Sequence, residues 1–162
     1  TDKKKKLYLI NQELEQIRTT VFRQLMFAEF ELYTHESFEK GIPLTAEDYN
    51  AKWHELNVKY FGPDMVVDND IDIEWARIPH FYSDFYVYQY ATGYAAASAF
   101  AKSILNNEPN AVEKYVGFLK SGGSDYPIEI LKKAGVDMTT SKPLEATIDR
   151  FNELLDMLEK EI

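Results

Sequence analysis

Apolar residues near the start of the chain fall at Leu7, Ile10, Leu14, Ile17, Val21, Leu25, Ala28 and Leu32. Steps of three and four put them on one stripe of an α-helix. No Pro or Gly interrupts the chain between Asp2 and Lys40, and Gly41 and Pro43 follow. The spacing therefore predicts one continuous helix from Asp2 to Lys40, roughly 55–60 Å long at 1.5 Å per residue. A helix of that length needs packing partners along its whole course. A second helix begins at Thr45-Ala46-Glu47-Asp48, where Thr45 caps and Asp48 stands three residues on. It turns Tyr49, Trp53, Leu56 and Tyr60 inward and ends at Gly62-Pro63.

Residues 62–78 keep no sustained period. Asp64, Asp68, Asn69, Asp70 and Asp72 make them read as an exposed acidic connection. Pro79 then opens a helix that runs through an aromatic stretch and the small residues Gly93 to Ala97 to about Asn106. Glu108-Pro109 opens a short helix to Lys120, Ser121-Gly122-Gly123-Ser124 is a loop, and Pro127 to Ala134 is another short helix closed by Gly135. Pro143 starts the last helix, with Leu144, Ile148, Phe151, Leu154, Leu155 and Leu158 inward. Neither a strand nor a repeat is visible. The pattern predicts an all-α, bundle-like fold in which residues 1–162 form a single domain or one lobe of a larger one.

Composition narrows the chemistry. The 162 residues hold 45% hydrophobic and 28% charged positions, enough apolar material for a packed core. A formal net charge of −9 disfavours nucleic acid as a partner, because binding there needs a concentrated positive field. The one basic cluster, Lys3 to Lys6, reads as a solvated helix start. The absence of Cys removes disulfides and thiolate metal sites, and fits a cytoplasmic protein. No apolar run reaches the roughly 18–20 residues that span a bilayer, so no membrane role is expected.

Metal motifs fail on spacing. His35-Glu36 and His54-Glu55 each begin the zinc signature His-Glu-x-x-His, but Glu39 and Val58 stand where the second His must be. In the acidic stretch Asp68, Asp70 and Asp72 alternate, yet Ile73 and Pro79 occupy positions that a calcium loop gives to Gly and Glu. Gly122-Gly123 lacks the lysine of a phosphate loop. It reads either as a flexible connector or as a hinge beside a cleft, where bare backbone can approach a peptide.

The aromatic stretch is the most informative part of the chain. On a helix Tyr82, Tyr86, Tyr90 and Tyr94 share one face, and Phe81, Phe85, Tyr88 and Thr92 share another. A core helix is normally filled with Leu, Ile and Ala, and each buried phenol needs a partner. Two readings follow from spacing alone. One is a thick aromatic core whose hydroxyls reach the surface. The other is a wall of hydrogen-bond donors, with His80 at its start, able to hold a carbonyl oxygen or an oxyanion.

Ile78-Pro79-His80-Phe81-Tyr82-Ser83-Asp84-Phe85-Tyr86-Val87-Tyr88-Gln89-Tyr90-Ala91-Thr92-Gly93 resembles the C-terminal region of oligoendopeptidase F, a family of zinc peptidases related to thimet oligopeptidase. Three more stretches agree in order. They are Arg18 to Glu31, Ser121-Gly122-Gly123-Ser124-Asp125-Tyr126-Pro127, and Ala134-Gly135-Val136-Asp137-Met138-Thr139. The resemblance implies an all-α, deep-channelled metallopeptidase that hydrolyses short peptides. In that family zinc is held by a His-Glu-x-x-His helix and a Glu of the next helix, and the motif's Glu is the general base.

No residue here matches a zinc ligand or that base. The resemblance therefore implies a C-terminal fragment or separated domain of a larger catalytic domain. Such a piece would bind no metal through its own residues and would be inactive by itself. What carries over is the wall facing the scissile carbonyl. His80 matches the family's histidine, Tyr88 is the best match for a tyrosine donor, and Tyr86 and Tyr82 are further candidates. Thimet-type relatives have a longer His-to-Tyr spacing and a second Tyr where this chain has Phe85, so the second donor is Tyr82 or Tyr86, or is missing. Gly122 and Gly123, with Tyr82, are expected to meet the substrate. The expected partners are short peptides and the remaining catalytic domain. Without that domain the aromatic surface predicts self-association. The rival reading is a non-catalytic helical module that binds a peptide or a protein through the aromatic face.

Overall fold

The computed structural model describes residues 2–161, and among these every regular element is helical. The elements are α1 (Lys3–Ile17), a π-helical turn (Arg18–Phe22), α2 (Arg23–Glu39), α3 (Ala46–Phe61), 3-10 segments at Asn69–Arg77 and Pro79–Tyr82, α4 (Tyr88–Leu105), α5 (Ala111–Ser121), α6 (Pro127–Lys133) and α7 (Lys142–Glu159). They form two compact units, one of Thr1–Arg18 with Thr92–Ile162 and the other of Thr19–Ala91.

In the unit of Thr19–Ala91 the core is aromatic. Met26, Phe27 and Phe30 of α2 meet Trp53 and Leu56 of α3, with Ile78 and Val87 completing the cluster. Trp53 packs edge-on against Phe30 at 4.9 Å between ring centroids and tilted against Phe27 at 5.2 Å. As its spacing predicts, α3 buries Trp53 and Leu56 and packs Tyr49 and Tyr60 at the margin. Its N-terminus is a capping box: Asp48 N–H donates to Thr45 Oγ1, and Thr45 N–H donates to Asp48 Oδ2 at 2.8 Å. Gly62, at φ +80°, ends the helix in a conformation that a side chain would strain.

The long N-terminal helix is unbroken but not uniform. A π turn closes i→i+5 hydrogen bonds and so inserts one extra residue. The buried series Ile10, Leu14, Ile17 and Val21 follows steps of three and four, then jumps five to Met26. The expected continuation is thereby displaced in part: Leu32 stands 48% exposed, while Ala28 still packs against the core. The core residues after the turn are Met26, Phe27 and Phe30 instead.

Residues 62–78 are also corrected. The acidic segment folds as a 3-10 helix from Asn69 to Arg77 that packs on α3. Trp75 stacks on Tyr49 at 4.8 Å and donates its Nε1–H to Asn50 Oδ1 at 2.7 Å. Asp72 lies 2.7 Å from His54 Nδ1, and buried Glu74 accepts from Arg23 at 2.5 Å and also from Arg77. Asp72 and Glu74 are thus spent on partners, while Asp64, Asp68 and Asp70 stay exposed as the sequence predicts.

In the other unit α1 packs on α7. Ile10, Leu14 and Ile17 face a helix whose buried residues are Pro143, Ala146, Thr147 and Leu154. Leu144 and Leu155, expected inward, are exposed. Ala146 and Thr147 are buried in their place, which a reading from the large apolar residues alone misses. Arg150 clamps Glu13 across the pair with two hydrogen bonds, 2.7 and 2.9 Å. A second cluster joins Ala96 and Phe100 of α4 to Ala134 and Val136, bordered by Tyr115, Phe118, Leu131 and Met138.

Candidate functional site

The helix expected from Pro79 does not run through the aromatic stretch. Pro79–Tyr82 is a single 3-10 turn, Ser83 leaves helical geometry, Phe85 adopts a left-handed conformation at φ +50°, and the α-helix starts at Tyr88. Packing explains the break. Ile78 is 5% exposed and Val87 is fully buried, so both ends of the segment are anchored in the core. Between them Phe81 packs on Phe30 at 5.4 Å and Phe27 at 5.8 Å. A 3-10 turn brings Ile78 and Phe81, three apart, onto the same inward side. His80, Tyr82 and Tyr86 are left facing out.

This fold gathers two of these groups, His80 and Tyr86, with Tyr90 of α4. The rings of His80 and Tyr86 lie nearly parallel, 14° apart with centroids at 5.8 Å. Tyr90 stands edge-on to both, 5.7 Å from His80 and 5.6 Å from Tyr86. His80 Nε2 and the Tyr90 hydroxyl are hydrogen-bonded at 3.2 Å. A hydrogen bond with the Tyr86 side chain, helped by desolvation, pushes the Tyr90 phenol above its ordinary value. The Tyr90 hydroxyl thus holds its proton more tightly than a free phenol. The cluster offers two phenols and one imidazole on an accessible surface.

The other sequence candidates are placed differently. Tyr82 projects into solvent at 87% exposure. Tyr88 begins α4 and is 45% exposed; positions two apart on a helix, such as Tyr88 and Tyr90, point to different faces. Gly122 and Gly123 belong to the other unit, after α5. There they line a largely apolar groove of about 390 Å³ with Phe100, Tyr115, Phe118 and Leu131 among its walls. Tyr90 is the residue that sequence reasoning passed over. Its signal was the four-residue spacing from Tyr86, which survives because Tyr86 and Tyr90 flank the first turn of α4.

The loop carrying Tyr86 is held from below by α2. Phe85 N–H donates to Glu31 Oε1 at 2.8 Å, and Glu31 is only 2% exposed. Burial pushes the Glu31 carboxyl up, with the Phe85 N–H pulling against it. One turn on, His35 lies against the Phe85 ring at 4.4 Å, and its Nε2 stands 3.4 Å from Asp84.

These residues do not fit the zinc that the resemblance implies. His35 faces Asp84, His54 faces Asp72 and His80 faces Tyr90. Among the described residues no three His, Asp or Glu side chains converge as metal ligands would. None of the helices is long and apolar enough to cross a membrane.

Comparison with known proteins agrees with the fold and the sequence pattern. Residues 1–150 match the model of peptidase family M3. The chain is 54% identical to Oligopeptidase PepF of Bacillus subtilis over 159 residues, which cover 98% of this chain and 24% of that protein. It is 46% identical to Group B oligopeptidase PepB of Streptococcus agalactiae, covering 98% of this chain and 26% of the relative. It is similar to the crystal structure of oligoendopeptidase-F from Enterococcus faecium with a TM-score of 0.96 and 49% identity, over 99% of this chain and 31% of that one. The chain thus spans about a quarter of the length of these curated relatives. With family model, relatives and fold in accord over nearly all of its residues, the chain belongs to peptidase family M3.

Proposed function

We propose that this chain is the C-terminal helical part of a zinc-dependent oligoendopeptidase that hydrolyses short peptides. Its share of the work is to bind the peptide and to stabilise the scissile carbonyl as negative charge develops on the oxygen. The observation that supports this reading is the convergence of His80, Tyr86 and Tyr90 on an exposed surface. Donors fixed before the reaction need no reorganisation when charge appears, and one such donor contributes roughly 2.7–4 kcal/mol. His80 and Tyr86 supply donors from this cluster, Tyr90 orients His80 through their shared hydrogen bond, and Tyr88 supplies a further phenol from the start of α4.

Tyr82 and the Gly122-Gly123 backbone serve peptide binding. Zinc and the general base are contributed by residues other than those described. The remainder of the polypeptide is the chain's natural partner. Without it the exposed Tyr82, Phe85 and Tyr86 promote self-association. The enzyme works in the cytoplasm, where a sequence without cysteine needs no oxidising environment.

The test compares the 162-residue chain with the whole enzyme. The chain alone should neither bind stoichiometric zinc nor cleave peptides, and the whole enzyme should cleave them in a chelator-sensitive way. In the whole enzyme His80→Ala should lower kcat on the order of 10²-fold, with a smaller change in KM. Chelator-sensitive turnover by the chain alone, or an unchanged kcat in His80→Ala, contradicts the proposal.

A further inference from the structure

We infer that Glu31 is a positioning residue for this reaction: its buried carboxylate fixes the Phe85 peptide and thereby sets Tyr86 against His80. The inference rests on the proposed role of the His80–Tyr86–Tyr90 cluster and extends it to a residue on another element.

The geometry runs outward from α2. Phe85 holds φ at +50°, a left-handed conformation that non-glycine residues adopt at a cost. Such conformations persist when surrounding contacts over-determine them, and they gather at functional sites. Here three contacts do so. Glu31 Oε1 accepts the Phe85 N–H at 2.8 Å, the His35 ring covers the Phe85 ring at 4.4 Å, and the next residue but one, Val87, is sunk in the core. Glu31 and His35 are one helical turn apart, so a single face of α2 grips the loop.

Tyr86 lies between the two fixed points, Phe85 and Val87. The backbone from which its ring projects is thus held on both sides, and the ring lies nearly parallel to His80 at 5.8 Å. Burying a carboxylate is unfavourable unless the group is used. Among the described residues no arginine or lysine is bonded to Glu31, and its carboxylate accepts from a loop amide. The carboxylate is thus spent on shaping the loop. Glu74, by contrast, is buried beside Arg23 and Arg77 and needs no such explanation.

Two substitutions in the whole enzyme test the inference, Glu31→Gln and Glu31→Leu. The glutamine keeps a carbonyl oxygen for the Phe85 N–H; the leucine fills the space without an acceptor. The first readout is the separation of kcat from KM. Glu31→Leu should lower kcat on the order of 10²-fold, the scale of a misplacement near 1 Å, and change KM far less. Glu31→Gln should stay near the parent enzyme. The second readout is amide hydrogen exchange in residues 84–87. Exchange should be slow in the parent and in Glu31→Gln, and fast in Glu31→Leu.

Equal kinetics in all three proteins, or loss of activity in Glu31→Gln as deep as in Glu31→Leu, overturns the inference. If Glu31→Leu does not fold, the parent and Glu31→Gln still decide it: rapid exchange at Phe85 in the parent overturns it, and slow exchange in both supports it. Exchange does not depend on turnover. It therefore judges the Glu31 contact even if His80→Ala and Tyr86→Phe leave kcat unchanged, an outcome that would remove the proposed function instead.

Discussion

At the scale of single residues, phenols in this chain are made useful by what surrounds them. Tyr60 shows the principle away from the candidate site. Its hydroxyl donates to Glu29 Oε2 at 3.1 Å, and Lys59 Nζ donates to the same carboxylate at 2.7 Å. Desolvation, reinforced by the Glu29 charge, pushes the Tyr60 phenol from 10.0 up to about 12. The folded protein therefore keeps a proton that the unfolded chain releases between those values. Stability from this group is complete below pH 10 and is lost as pH rises towards 12. Urea unfolding of the parent and of Tyr60→Phe across that range should show the parent losing stability more steeply. Parallel curves would contradict the assignment. At the candidate site the hydrogen bond with Tyr86, helped by desolvation, raises Tyr90 in the same direction. The sequence displays the Tyr86–Tyr90 spacing but not the fold that returns His80 to it. That return depends on Phe85 turning left-handed, and no residue type at that position announces such a turn. Gly or Asn would have done so; Phe does not.

At the scale of elements, helices were legible where period and caps agreed. The Thr45–Asp48 box and the Trp53–Leu56 face of α3 follow directly from spacing. Three features were not legible, each for a physical reason. The π turn adds a residue that a sum of three- and four-residue steps conceals, so the face of α2 is displaced. Helix α7 buries Ala146 and Thr147 where Leu144 and Leu155 were expected, and small or polar residues carry no strong hydrophobic signal. The acidic stretch lacks a 3.6-residue period because it is a 3-10 helix, and its carboxylates suggested solvent although Asp72 is bonded to His54 and Glu74 to Arg23 and Arg77.

That last element should be structural. Trp75→Ala removes both the stack on Tyr49 and the bond to Asn50, and should cost about 2–3 kcal/mol, below the figure for a fully buried Trp. Asn50→Ala removes only the acceptor and should cost about 1 kcal/mol. Denaturant midpoints measure both. If Trp75→Ala unfolds at the parent's midpoint, the 3-10 segment is a passive tether.

At the scale of the molecule, the fold class and the family were legible in the order of four stretches, while the site was legible only in part. His80 and Tyr86 were named from sequence and are brought together; Tyr88 lies on the helix that carries Tyr90, and Tyr82 faces solvent. The chain spans about a quarter of the length of its curated relatives, so the proposed role of the cluster is tested in the whole enzyme. The central claim is that this quarter holds the oxygen of the scissile carbonyl in the transition state. Its most direct test is steady-state peptide hydrolysis by the whole enzyme carrying Tyr86→Phe or Tyr88→Phe, each of which deletes one hydroxyl and keeps the ring. At least one of the two should lose kcat on the order of 10²-fold while KM changes little, and the one that does identifies the donor. If both keep the parent's kcat and KM, the phenols are packing groups and the claim is wrong.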